Sequence, residues 1–289
     1  MKNIIVIVGP TGVGKTKLSI ELAKKINAEI INADSMQVYK RLNIGTAKVK
    51  EEEKENIEHH LFDIVEPVDM YTVYDYQKDG RKIINNILKR NKKVIIVGGT
   101  GLYIKALLYD YVFNTENQNY DFSNMSNDTI LNKIKEYGET NIHINNRKRL
   151  ERTLTKLLNG GDINNSNAKK LYDFSIIGLT TSRDKLYKII DERVDKMIND
   201  GLIDEVKSLY DEKINSKAIN TGIGYKELYK YLNGEITKDE AINLIKKNSR
   251  HYAKRQYTFF NNQLNVTWFN TNYDDFSKTV EEVINFLIK

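Results

Sequence analysis

Residues 9–16 read GPTGVGKT, and this stretch decides the fold. It matches the phosphate-loop pattern, in which a glycine is followed by four residues and then by Gly-Lys-Thr or Gly-Lys-Ser. The preceding residues 2–8 form a short β-branched run, and residues 15–26 carry apolar side chains at helical spacing. A glycine loop between a buried strand and a helix presents backbone N–H groups to phosphate oxygens. The predicted phosphate ligands are Gly9, Pro10, Thr11, Gly12, Val13, Gly14, Lys15 and Thr16.

Further strand and helix patterns alternate along the chain. Residues 28–33 and 93–97 are short apolar runs, and residues 73–90 between them carry helical spacing. Residues 174–179 form one more strand pattern, and the remainder is mostly helical. Short apolar runs without alternation are typical of strands buried on both faces of a parallel sheet. The sequence therefore predicts an α/β fold, a P-loop parallel-sheet core with helices on both faces.

A polar, Asn-rich stretch interrupts these patterns after residue 111. Residues 112–146 contain one short helical pattern and otherwise show no periodicity. We predict that they form a small inserted helical or irregular domain. The basic helix 147–158 is expected to return to the core, so the predicted core comprises residues 1–111 and 147–289.

The composition excludes several classes of site and partner. The 289 residues include no cysteine, which rules out disulfides, thiolate metal sites and a cysteine nucleophile. No apolar run approaches the length of a membrane span or resembles an export signal. We therefore expect a cytoplasmic protein without a membrane partner. The formal net charge of +6 permits binding to nucleic acid without requiring it.

The strand ends narrow the choice of phosphate chemistry. Strand 93–97 is followed by Gly98-Gly99-Thr100, where a P-loop ATPase or GTPase would carry a carboxylate that binds Mg²⁺. Asp34 instead follows the strand 28–33. Because the carboxyl ends of parallel strands share one crevice, Asp34 should face Lys15 and Thr16. Asp34 can serve there as a Mg²⁺ ligand, a general base or a helix cap, and the Thr16 hydroxyl can hold Mg²⁺.

Two clusters of cations are candidates for contact with nucleic acid, although either could be a solvated helix face. The first comprises Arg147, Lys148, Arg149 and Arg152. The second comprises Lys246, Lys247, Arg250, Lys254 and Arg255, interleaved with His251, Tyr252 and Tyr257. The adjacent His59 and His60 lack cysteine or spaced carboxylate partners, so we interpret them as structural or polar contacts.

Six stretches, taken together and in order, resemble the tRNA dimethylallyltransferase family. They are GPTGVGKT (9–16), ADSMQVYKRLNIGTAK (33–48), HHLFDIVEP (59–67), VGGTGLYIKALL (97–108), GIGYKEL (222–228) and YAKRQYTFF (252–260). Enzymes of this family transfer a dimethylallyl group from dimethylallyl diphosphate to N6 of an adenosine beside the anticodon (tRNA position 37). Their substrates are tRNAs that read codons starting with U.

The resemblance implies a role for each candidate residue. The loop would grip the diphosphate of the donor, with Mg²⁺ on Thr16, and Asp34 would be the base that deprotonates the amine. Thr100 would act near the departing diphosphate. The residues implied in contact with tRNA are Asp34, Ser35, Met36, Gln37, Thr100, Lys148, Arg149 and Arg152. The family also implies a monomer.

Three other functions remain open on the sequence alone. A small-molecule or nucleotide kinase would use the same loop, but the strand 93–97 lacks the expected carboxylate. An adenylate isopentenyltransferase would act on free nucleotides, whereas the basic clusters favour a polymer. A non-catalytic RNA-binding protein would not need Asp34.

Overall fold

A parallel sheet forms the centre of the computed structural model, which describes residues 1–111, 113, 120–160 and 169–288. Its strands in the described chain are β1 (Ile4–Val8), β2 (Ala28–Asn32), β3 (His59–His60), β4 (Lys93–Val97), β5 (Phe174–Thr180) and β6 (Thr267–Asn270). They lie in the order β3-β2-β4-β1-β5-β6, and each neighbouring pair is parallel. The predicted α/β class is therefore confirmed. The sequence patterns missed β3, which has two residues, and β6.

The described residues also form eleven α-helices. They are α1 (Lys15–Ile26), α2 (Val73–Lys89), α3 (Gly101–Leu108), α4 (Asn127–Lys135), α5 (Arg147–Leu158), α6 (Arg183–Asn199), α7 (Leu202–Asp211), α8 (Lys217–Thr221), α9 (Tyr225–Leu232), α10 (Lys238–Gln263) and α11 (Phe276–Ile288). The helix α1 begins and ends where the sequence predicts. None of the described helices combines the length and hydropathy that crossing a bilayer requires.

Both faces of the sheet are buried, as the short apolar strands predict. Ile5 and Ile7 of β1 pack in one cluster with Leu18 and Leu22 of α1 and with residues of α6 and α11. The alternate residues of β1 are equally buried, and α2 packs on β4. Because successive side chains of a strand point to opposite faces, an all-apolar strand needs helices on both sides.

The chain divides into two compact units. The first comprises residues 1–108 and 172–289, and the second comprises residues 109–171. The second unit is therefore wider than the predicted insertion 112–146. The helix 147–158, which was expected to return to the core, is α5 and lies in the second unit. Part of the predicted insertion lies outside the described residues.

The second unit has its own small core. Leu150, Leu154 and Leu157 of α5 are buried against Ile130 and Ile134 of α4. The three leucines lie at spacings of three and four residues, so they form one apolar stripe on the helix. This stripe packs against α4, so α5 belongs to the core of the second unit.

Helices α7 to α10 form a second apolar cluster within the first unit. The amphipathic run that continues from α6 is divided at Gly201, whose φ of 99° lies in the left-handed region. The cluster includes Val38, Tyr39 and Leu42 from the segment that follows β2. This packing connects the strand end that carries Asp34 to the helical layer.

Candidate active site

The phosphate loop joins β1 to α1 in the geometry of an anion site. Gly9, Gly12 and Gly14 have φ values of 138°, 87° and 90°, which L side chains rarely adopt. Gly14 caps α1 without a side-chain hydrogen bond, and the first turn of α1 contains no acidic residue. The N–H groups at this helix end are therefore available to an anion, and the helix dipole favours negative charge there.

Lys15 lies in an environment that disfavours its own charge. Its ammonium donates to the Pro10 carbonyl over 2.7 Å. Burial and then the positive charge of Arg193 lower the pKa of Lys15, and the negative charge of Asp34 opposes them; together they bring this pKa to about 7. A bound anion would supply the missing counter-charge, since an opposite charge nearby favours the ionised form.

We expect the binding of inorganic diphosphate to be coupled to protonation of Lys15. In the free protein the pKa of Lys15 is about 7, so at pH 8 most molecules carry a neutral amine. The bound anion raises this pKa, and binding at pH 8 should take up close to one proton on Lys15. The affinity should therefore fall as pH rises above about 7. Titration calorimetry in buffers of different ionisation enthalpy measures the uptake.

The control for this expectation is Lys15→Arg, which keeps a permanent positive charge. Proton uptake in this variant equal to that of the wild type would contradict the assignment. The same shift affects stability, because the folded pKa of about 7 lies below the ordinary lysine pKa of 10.5. The unfolded chain binds more protons between these two values, so the free energy of unfolding should rise with pH in that window.

The ends of β2 and β4 approach each other closely beside the loop. A Cβ on Gly98 would lie 2.2 Å from the carbonyl carbon of Ala33, so only glycine fits there. Thr100 N–H donates to the Ala33 carbonyl over 3.0 Å, and the Ser35 N–H donates to Thr100 Oγ1 over 3.0 Å. The two strand ends are thereby fixed as one surface, with the Thr100 hydroxyl beside Ser35.

Asp34 is half-buried at this surface, and one of its carboxylate oxygens is already bonded. Oδ1 accepts the N–H of Met36 over 2.9 Å, which orients the side chain. Its negative charge raises the pKa of Lys15 and Arg193 against the effect of burial. Its charge also adds to burial in raising the pKa of Tyr252. Asp34 thus lies within electrostatic reach of the loop lysine, as the shared crevice predicts.

Arg193 of α6 is a site residue that the sequence patterns missed. It is half-buried and makes no hydrogen bond or ion pair to any residue that the structure describes. Burial lowers the pKa of Arg193, and the charge of Asp34 opposes this decrease. A desolvated guanidinium beside Lys15 and Asp34 is a ready donor for an anionic ligand. The sequence feature that could have identified Arg193 is its position one helical turn after the apolar residues Ile189 and Ile190.

One side of the crevice is formed by α10. The Gln256 amide donates to the Gly99 carbonyl over 3.1 Å, and Gln256 is buried. Burial and then the charge of Asp34 raise the pKa of Tyr252, while hydrogen bonding to Thr100 lowers it in part. A neutral phenol therefore lies next to Thr100 and Asp34. These contacts place the stretch 252–260 at the site, which motif spacing alone could not do.

The residues after Asp34 are held by their neighbours. The Met36 side chain contacts the apolar cluster of α7 to α10, and a Cβ on Gly222 would lie 2.7 Å from its terminal methyl. The Gln37 amide nitrogen donates to the Thr46 carbonyl over 2.9 Å. The Ser35 hydroxyl lies 3.3 Å from Thr100 Oγ1. Ser35 and Gln37 are half-buried at the crevice, and their roles in binding RNA stay predictions.

His59 and His60 make polar contacts within the fold, although the expectation that they lack carboxylate partners is wrong for His60. His60 Nε2 lies 2.8 Å from Glu29, and the Nδ1 of His59 lies 2.8 Å from the Ile57 carbonyl. Glu29, Glu58 and His60 are close enough to hold a cation. However, Arg90 and Lys92 already bond the buried Glu29 carboxylate at 2.7 and 2.8 Å. Burial raises the pKa of Glu29, but the hydrogen bonds from Arg90, Lys92 and His60 outweigh it, so that the pKa is about 2. The negative charge is neutralised, which argues against a metal here.

The two basic clusters differ in how many cations are already paired. In α5, Arg147 bonds Glu151 and the carbonyls of Met125 and Phe122. In α10, Lys246 pairs with Asp195 and Arg250 with Asp191 of α6. Within these two clusters, the exposed cations that make no ion pair with a described residue are Lys148, Arg149 and Arg152 on α5 and Lys247, Lys254 and Arg255 on α10.

The predicted site residues therefore fall into two groups. The loop 9–16, the segment 34–37 and Thr100 are brought together at the carboxyl edge of the sheet in the first unit. Lys148, Arg149 and Arg152 lie on one exposed side of α5 in the second unit.

Comparison with known proteins gives consistent matches. A family model described as IPP transferase matches residues 37–263. A tRNA dimethylallyltransferase of Anoxybacillus flavithermus is 44% identical, with 99% of this chain and 96% of the relative covered. One of Bacillus subtilis is 44% identical, with 92% and 90% covered.

Solved structures give the same picture. The full-length tRNA isopentenylpyrophosphate transferase of Bacillus halodurans matches with a TM-score of 0.79 and 39% identity, and the match covers 100% of this chain and 96% of that one. A eukaryotic dimethylallyltransferase acting on tRNA matches with a TM-score of 0.81 and 28% identity, covering 100% and 80% of the two chains.

Proposed function

The chain belongs to the IPP transferase family, and on this premise we propose that the crevice transfers a dimethylallyl group to tRNA. The donor is dimethylallyl diphosphate, and the acceptor is N6 of the adenosine beside the anticodon of tRNAs that read codons starting with U. The observation that carries the proposal is the arrangement of Asp34 beside Lys15 and Arg193. This arrangement combines a general base, Asp34, with two cations that can bind an anion, at the carboxyl edge of the sheet.

The geometry supports a direct substitution. The N6 nitrogen of the adenosine forms a bond to the first carbon of the allyl group. As it does so, the free carboxylate oxygen of Asp34 accepts a proton from this amine. The bond from that carbon to the diphosphate oxygen breaks, and its electron pair leaves with the diphosphate. Lys15, Arg193 and the loop N–H groups stabilise the departing charge. Burying the five carbons of the allyl group would contribute roughly 4 kcal/mol.

The residues of the loop fit a Mg²⁺ ion shared with the substrate. Thr16 is exposed in the first turn of α1, and its hydroxyl has no hydrogen bond within the described residues. Mg²⁺ is usually bound by one or two protein oxygens together with substrate phosphates and water. We propose that Thr16 holds Mg²⁺, which would neutralise charge on the diphosphate. No second carboxylate is required, since no phosphoryl group is transferred.

The exposed cations supply the contacts to RNA. The anticodon loop is single-stranded, so exposing one base costs less than opening a duplex. We propose that Lys148, Arg149 and Arg152 bind phosphates, and that Lys254 and Arg255 do the same beside the crevice. Arg255 lies 5.5 Å from the ring of Tyr252, which links this cation to the site. The enzyme acts as a monomer in this proposal.

Replacing Lys148, Arg149 and Arg152 together with Ala should weaken tRNA binding. Each phosphate contact releases counterions, so three lost contacts should reduce the slope of log K against log salt by about 2. The affinity at low salt should fall roughly 10- to 100-fold. Binding assays across a salt series measure both quantities, and inorganic diphosphate should bind as before.

The matched control changes Lys133 and Lys135 of α4 to Ala, because these exposed cations lie in the same unit. An equal loss of affinity in the control would show that general charge, rather than α5, governs binding. An unchanged salt slope in the triple variant would remove α5 from the interface.

Transfer itself is tested with an unmodified tRNA and labelled dimethylallyl diphosphate, with and without Mg²⁺. We expect label on the adenosine beside the anticodon, release of diphosphate, and loss of transfer without Mg²⁺. Adenosine monophosphate should neither accept the label nor compete with tRNA. ATP consumption would indicate a kinase, labelling of the free nucleotide would indicate an adenylate isopentenyltransferase, and no transfer at all would overturn the proposal.

A further inference from the structure

The carboxylate of Glu205, on α7, holds the segment 43–48, which follows the predicted tRNA contacts at residues 34–37. The two oxygens of Glu205 accept four hydrogen bonds from groups that lie at least twenty residues away in sequence. The donors are the N–H groups of Asn43 (3.0 Å), Ile44 (2.7 Å) and Gly45 (3.1 Å) and the hydroxyl of Tyr225 (2.7 Å). Three successive backbone donors on one anion make a strong and directional anchor.

Tyr225 contacts both Glu205 and the segment that Glu205 holds. A Cβ on Gly45 would lie 2.7 Å from the ring of Tyr225, so the ring packs directly on the backbone of the segment. Tyr225 is fully buried, and the carboxylate of Glu205 adds to burial in raising its pKa. The phenol therefore remains a hydrogen-bond donor, and Glu205 remains its acceptor.

The anchored segment in turn orients Gln37. The Gln37 amide nitrogen donates to the carbonyls of Thr46 and Ala47, at 2.9 and 3.4 Å. The far end is fixed by Lys48, whose ammonium donates to the Tyr39 carbonyl over 2.7 Å. With its nitrogen engaged, Gln37 is left with its carbonyl oxygen, an acceptor for an N–H group of a base. This orientation depends on where residues 43–48 lie.

We propose that Glu205 is a positioning residue for the acceptor base, acting through the backbone of residues 43–48 on Gln37. The inference rests on the proposed transfer to tRNA and extends it to a residue of α7 outside the crevice. Glu205 touches neither substrate in this scheme. Its effect should appear in the use of tRNA and not in the binding of diphosphate.

The test is Glu205→Gln, which keeps the shape of the side chain. It replaces one of the two accepting oxygens with an NH₂ group, which cannot accept a hydrogen bond from a backbone N–H. The kcat/KM for tRNA should fall about 10- to 100-fold, because the base is misplaced relative to Asp34. The affinity for inorganic diphosphate should stay within about twofold, since the loop is unchanged. Tyr225→Phe removes one of the four hydrogen bonds and keeps the ring, so its loss should be smaller.

Epistasis separates positioning from general damage. In a Gln37→Ala background, Glu205→Gln should cause little further loss, because both changes remove the same interaction. Asp204→Asn, at the adjacent exposed position, is the matched control and should behave as wild type. If Glu205→Gln and Tyr225→Phe both keep full transfer, or if the losses multiply with Gln37→Ala, the proposal is overturned. If the wild type transfers nothing, the proposed function fails instead.

Discussion

Replacing Asp34 with Asn lowers the rate of dimethylallyl transfer by about 10³-fold, the middle of the range for loss of a general base. The amide oxygen of Asn can still accept the Met36 N–H that now bonds Oδ1, so the turn should persist. What is lost is the basic oxygen that takes the proton from the amine. Single-turnover transfer of label to tRNA, with enzyme in excess, measures the chemical step directly.

Binding assays provide the control for this change. Phosphate contacts dominate affinity for nucleic acid, so the affinity of Asp34→Asn for tRNA should stay within a few-fold of wild type. Loss of tRNA binding in step with loss of transfer would mean that Asp34 holds the RNA rather than moving a proton. Transfer at the wild-type rate would remove the general base from the mechanism altogether.

Replacing Arg193 with Gln should weaken the binding of dimethylallyl diphosphate about 100-fold, since a desolvated charge pair is lost. The positive charge of Arg193 also lowers the pKa of Lys15, so its removal raises that pKa. The proton uptake that accompanies diphosphate binding at pH 8 should therefore decrease. Calorimetry with inorganic diphosphate measures the affinity and the uptake in one experiment.

Arg183→Gln is the matched control, because Arg183 begins the same helix and bonds Tyr187 instead. It should leave both quantities at their wild-type values. If Arg193→Gln binds diphosphate normally, the guanidinium does not face the anion. If affinity falls but proton uptake stays constant, Arg193 acts without influencing Lys15.

Much of the sheet and half of the site could be predicted from local sequence. The loop 9–16 and the helix after it form a continuous signal, since glycine spacing and helical periodicity occur within 20 residues. Asp34 was identified because parallel strands place their carboxyl ends at one edge. Such inferences need only local patterns and one rule of topology.

Arg193 and Glu205 could not be found in this way. Each lies on an amphipathic helix, where a charged residue is ordinarily read as part of the solvent face. Glu205 contacts Asn43 across 162 positions of sequence, which no local pattern records. The strands β3 and β6 were missed because two to four residues are too few to establish a period.

The helix α5 shows why packing partners are harder to predict than helices. The sequence predicts both ends of this helix and its stripe of leucines, but such a stripe can pack against any complementary apolar surface. The neighbouring α4 supplies that surface through Ile130 and Ile134. Predicting this partner required recognising α4, a short helix whose sequence pattern is weak.

The contact between Gly98 and Ala33 limits how this crevice can evolve or be engineered. Where the ends of β2 and β4 meet, position 98 has room for a hydrogen atom and nothing larger. Changes that widen the crevice must therefore occur elsewhere, for example in α10, whose Gln256 contacts Gly99. Substitutions that leave Gly98 and Ala33 unchanged would keep the spacing between the ends of β2 and β4. The position of Asp34 relative to Thr100 would then stay the same, even if the specificity of the crevice changed.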